Sequence, residues 1–98
     1  MTIMPVLITY DVPRRHLDLK QRLAVGGYLF QLTDPRDNKV FYLPNTALYH
    51  QSKTVQQAMS DLKAECSYLG ISLERAFATE VGSVWDCIPG NPYSTPRL

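Results

Sequence analysis

The chain has 98 residues, 45% of them hydrophobic and 19% charged, which suits one compact domain and leaves no room for a second. Ten basic residues against nine acidic ones give a formal net charge of +1 and exclude the global cationic field that drives unspecific nucleic-acid binding, so any such contact must be local. Seven of the basic and four of the acidic residues fall between Met1 and Lys53, which places the more cationic surface on the first half.

The first predicted element runs from Pro5 to Tyr10. Val6, Ile8 and Tyr10 alternate with Leu7, Thr9 and Asp11, a pattern apolar enough on both faces for a central strand covered on both sides. Pro13 ends it. From Arg15 to Val25, Leu19 and Leu23 stand one turn apart with Lys20, Gln21 and Arg22 between them, and Gly26-Gly27 follows, so a helix with a glycine C-cap is expected. Tyr28 to Thr33 and Lys39 to Leu43 read as strands, and Asp34 to Asn38 supplies the turn residues of a hairpin. Pro44 cannot donate to a ladder and is expected at a bend before a further extended segment from Thr46 to His50.

Thr54 and Gln57 have capping-box spacing, and Val55, Ala58, Met59, Leu62, Cys66 and Leu69 recur at helical intervals up to Gly70. Ile71 to Val81 reads as a last major strand, with Phe77, Thr79 and Val81 on one face and Ala76 and Ala78 on the other. Val84 to Ile88 suggests a short extra strand, and the prolines after it an irregular tail over residues 89–98. One domain over residues 1–88 follows.

The order strand, helix, strand, strand, helix, strand implies an α+β, ferredoxin-like βαββαβ fold: a four-stranded antiparallel sheet with both helices on one face. The other face stays bare. Pairing two copies through it is the simplest way to cover it, so a homodimer is expected. Cys66 and Cys87 belong to no paired-cysteine metal motif and read as buried thiols. No run approaches a membrane span, and the opening residues do not read as a leader, so a cytoplasmic protein with no membrane partner is expected.

With that order in place, Ile8-Thr9-Tyr10-Asp11-Val12 resembles the signature of a superfamily of small ferredoxin-like proteins. It includes the non-integrase adaptation protein of CRISPR systems, the virulence-associated D toxins and the SinR group. The resemblance extends to the leucine-bearing helix, Gly26-Gly27-Tyr28, Leu43-Pro44-Asn45-Thr46 and a final strand ending near Val81, and only the Tyr10-Asp11 position is a sharp landmark. It implies a dimer in which Asp11 of each protomer approaches a shared axis, where a divalent metal, magnesium or manganese, would activate water against RNA or DNA. The proline-interrupted region between Thr33 and Leu48 departs from the adaptation proteins, so their DNA-scaffold role does not carry over.

Several side chains invite a chemical reading, each beside a plainer one. Asp11 is a metal ligand and catalytic carboxylate, or a turn and helix-cap residue. Arg14 and Arg15, with His16, offer a phosphate or nucleic-acid contact, or are solvated at a helix start. His50 and His16 are the candidate proton carriers, or surface and cap histidines. Tyr28, Phe30, Phe41, Tyr42 and Tyr49 either stack on bases or pack a dimer. No serine or cysteine sits in a nucleophile motif, and no glycine loop between a strand and a helix cradles phosphate. Three functions therefore compete: a dimeric interaction module with protein or nucleic-acid contacts, a metal-dependent nuclease, and a protein-binding inhibitor of antitoxin type.

Overall fold

The computed structural model describes residues 5–34 and 36–82. Seven elements follow in chain order: β1 (Val6–Asp11), α1 (His16–Val25), β2 (Gln31–Thr33), β3 (Val40–Tyr42), β4 (Ala47–His50), α2 (Val55–Leu69) and β5 (Arg75–Glu80). The fold is mixed α+β, with two helices and antiparallel strands throughout. The expected strand at Val84 to Ile88, Cys87 and the tail lie outside the described residues.

β1 is central, as its apolar pattern implies: β4 pairs along one side of it and β5 along the other. Its two faces differ. Val6, Ile8 and Tyr10 are buried, together with Leu19 and Leu23 of α1 and Ala58, Leu62 and Cys66 of α2, so residues of both helices meet one face of the sheet in a single core. Leu7, Thr9 and Asp11 on the opposite face are only half-buried. The cover expected on both sides of β1 is thus supplied on one side among the described residues. β5 repeats the alternation: Ala76 and Ala78 pack on the core, whereas Phe77 is 63% exposed on the open face.

The second helix follows its sequence signals closely. The Thr54 hydroxyl accepts from the Gln57 amide at 3.1 Å, the Gln57 side chain accepts from the Thr54 amide at 2.9 Å, and Gly70 closes the helix at φ 68°. The Ile71 amide is used to close α2, donating to the Cys66 carbonyl. The last strand therefore begins at Arg75 and not at Ile71. The first helix lacks a side-chain cap and enters through Arg15 in the left-handed region, φ 59°.

In place of one four-stranded sheet, the described strands form a sheet of three, β4-β1-β5, and a separate hairpin of two, β2-β3. The two are tied at Leu29, which exchanges both backbone hydrogen bonds with Tyr49 at 2.7 and 2.9 Å. The chain bends at Phe30, whose carbonyl turns to the Leu43 amide, and the ladder passes from β4 to the hairpin. The expected Asp34 to Asn38 turn closes that hairpin: Asp34 donates to the Lys39 carbonyl, and Asn38 sits at φ 59°.

Candidate functional site

Asp11 lies at the end of β1 on the open face, and the antiparallel register puts Arg75 directly across from it. The guanidinium Nε donates to Asp11 Oδ2 at 2.6 Å. The carboxylate thus serves a cross-strand ion pair, and the N-cap position of α1 belongs to Arg15. A shallow cleft of about 170 Å³ opens beside the pair, lined by Thr9, Thr46 and Phe77 among others.

Arg14 and Arg15 turn towards the far end of the second helix. Arg14 Nη2 donates to the Gly70 carbonyl at 2.9 Å and Arg15 Nη1 to the Leu69 carbonyl at 3.0 Å, while Arg15 Nε holds Asp18. Cations at the C-terminus of a helix satisfy its free carbonyls and complement its dipole. The two side chains therefore join the start of α1 to the end of α2. His16, the first residue of α1, has both ring nitrogens buried and without a hydrogen-bond partner among the described residues.

His50 is far from Asp11. It stands across from Val6, at the other end of β1 and on the core face, so about five extended residues, roughly 16 Å, and the thickness of the sheet separate the two. Its ring is used at both nitrogens. Nδ1 accepts from the Ser52 amide at 3.1 Å, which leaves Nε2 as the protonated nitrogen donating to the Gly26 carbonyl at 3.1 Å. The ring also meets Tyr28 edge-on, with centroids 4.8 Å apart. His50 fastens the glycine turn after α1 onto β4. The structure does not bring Asp11, His50 and the Arg14–His16 segment into one constellation within a chain.

It does assemble a polar cluster that sequence reading missed. The Tyr28 hydroxyl donates to Asp61 Oδ2 at 2.8 Å, and Lys53 Nζ donates to the same oxygen. Burial alone would raise the Asp61 carboxyl, but the hydrogen bonds from Lys53 and Tyr28 and the positive charge of Lys53 hold it below its ordinary value. Burial first, and then the Asp61 carboxylate, push the Tyr28 hydroxyl well up. Beside it on the outside, Arg22 pairs with Glu65 and stacks on Tyr68, its guanidinium carbon 3.6 Å from the ring centroid. No local motif announces these groups: Tyr28 and Asp61 are 33 residues apart, and Arg75 is 64 from Asp11.

A hard divalent cation needs several oxygen ligands. Within one chain Asp11 offers a single carboxylate already engaged by Arg75, and among the described residues no three His, Cys, Asp or Glu side chains gather where they could hold a metal ion. The residues of one chain therefore do not fit such an ion. Among the described residues, no helix is long and apolar enough to cross a membrane. No family model, curated protein or solved structure matches the chain.

Proposed function

We propose that this chain is a ferredoxin-like interaction module that works as a homodimer, joined through the open face of β4, β1 and β5, and that it is related to the CRISPR-adaptation and toxin superfamily it resembles. The observation that carries the reading is Phe77, 63% exposed on that face, midway along the edge strand β5. The half-buried Leu7 and Tyr49 and the 39% exposed Leu29 continue the patch across three strands. A sheet face of this kind is the surface that sheet-on-sheet packing covers. A second copy suits it because the face carries Asp11 and Arg75 as a neutral pair, so two identical faces meet without net repulsion. The strand order β4-β1-β5 supports the fold reading: it matches strands three, one and four of the split arrangement, with Leu29 beside Tyr49 where strand two would run.

Sedimentation velocity tests the dimer. The wild-type chain is expected to be mostly dimeric at about 100 µM, which requires an association free energy greater than roughly 5.5 kcal/mol, and Phe77→Glu is expected to be a folded monomer. A wild-type monomer at that concentration overturns the reading. The nuclease alternative has in its favour that Asp11 lies on the same open face. Magnesium- or manganese-dependent cleavage of RNA or DNA by the wild type, lost in Asp11→Asn with the dimer intact, would select it.

A further inference from the structure

We infer that Arg75 is the resident cation of the Asp11 site and closes that carboxylate to divalent metal ions. Both residues belong to one chain, so the pair forms whether or not the open face joins a second copy. Register fixes the two residues opposite each other at the last position of the β1–β5 ladder, so their proximity is a property of the sheet and not of a loop. The guanidinium Nε lies 2.6 Å from Oδ2 and takes up one of the carboxylate's lone pairs.

Two costs would face an incoming divalent ion. It must displace a charge-assisted hydrogen bond, and it must sit near a positive charge tethered to the neighbouring strand, on a guanidinium that is itself 82% exposed and so partly screened by water. The nearby lining brings no second carboxylate: beside Asp11 and Arg75 it consists of Thr9, Tyr10, Thr46, Ala76 and Phe77. Neutral hydroxyls do not replace the second and third carboxylates that hold hard cations in protein sites. Asp11 is thereby a partner for a guanidinium, and the polar end of the open face is neutral without any bound ion.

The test uses the full chain and manganese as the probe. Paramagnetic broadening of backbone amide signals, followed as Mn²⁺ is added, reports binding near Asp11 without reference to any activity, and the same spectra show whether each variant is folded. In the wild type, the Asp11 and Thr9 amides are expected to broaden no more than exposed carboxylates elsewhere. In Arg75→Gln the ion is expected to bind at Asp11 about tenfold more tightly, the size of effect given by removing one positive charge roughly 5 Å from a divalent ion in a water-like dielectric. Arg75→Lys, which keeps the charge, is expected to stay near the wild type, and Asp11→Asn combined with Arg75→Gln to lose the gain. Asp11-dependent broadening in the wild type equal to that in Arg75→Gln would overturn the inference, and so would no gain in Arg75→Gln. The oligomeric state of the same samples, read by sedimentation, separates these outcomes from failure of the dimer proposal.

Discussion

Gly27 and His50 are fitted to each other. Gly27 turns at φ 94°, and a Cβ built on it would lie 2.9 Å from His50 Nε2, inside any real contact distance. The same imidazole nitrogen faces the carbonyl of the preceding residue, Gly26, so the glycine pair after α1 and the histidine of β4 form one joint. Gly27→Ala is expected to destabilise the fold by about 2–3 kcal/mol, from backbone strain at positive φ together with the displaced ring. Urea unfolding should show a lower midpoint with an unchanged slope.

Lys20 gives a pH signature. Its side chain lies among core residues on α1, and burial lowers its pKa to about 8. An unfolded lysine titrates near 10.4, at about which value the unfolded chain also gives up its proton. Between about 8 and 10.4 the unfolded state therefore binds more protons than the native one, and stability rises with pH across that window, by an amount of order 2–3 kcal/mol. Below pH 8 both states are protonated and this dependence vanishes. Denaturant unfolding from pH 7 to 10 should show the wild type gaining stability relative to Lys20→Met, whose own profile falls towards pH 10 because burial pushes the Cys66 thiol and the Tyr28 and Tyr49 hydroxyls up.

Tyr28 and Asp61 set the acid limb. The Asp61 carboxyl is held below its ordinary value, so its contribution is complete above the unfolded value of about 3.9 and is lost as pH falls through the folded value. Tyr28→Phe removes one of the two hydrogen bonds on Oδ2, and a loss of about 1–2 kcal/mol at neutral pH is expected. Thermal unfolding between pH 2 and 5 should show a shallower acid dependence in Tyr28→Phe than in the wild type, and a shallower one again in Asp61→Asn.

His16 tests the plainer reading of the helix start. Its ring nitrogens are buried with no hydrogen-bond partner among the described residues, an arrangement in which an apolar side chain of similar size does as well or better. His16→Leu is expected to be neutral or more stable by up to about 1 kcal/mol, also helped by leucine's helix propensity. Calorimetry would show an equal or higher Tm. A clear fall would mean that the imidazole has a polar role in the folded chain.

Much of the architecture is readable along the chain because its causes are local. Thr54 and Gln57 are three residues apart and cap α2 reciprocally, Gly70 stands one residue beyond the last apolar turn, and the residues around Asp34 and Asn38 shape their own hairpin turn. β1 announces its place by its apolar residues: Val6, Ile8 and Tyr10 are buried, and β4 and β5 pair along its two sides. Local signals are harder to separate where two elements adjoin: the apolar run from Ile71 reads as a strand, but its first amide closes α2 on the Cys66 carbonyl five residues back.

The helices, the central strand and the hairpin turn are legible in the sequence, because periodicity and capping act among residues a few positions apart. The partners of the polar side chains come from long-range folding. Arg14 and Arg15 reach carbonyls 56 and 54 residues away, and Asp11 finds Arg75 only because β5 returns antiparallel in one particular register. A shift of that register by one residue would put Ala76 or Glu74 opposite the carboxylate, turn the guanidinium to the other face and take Ala76 and Ala78 off the core, so packing against the helices holds the choice.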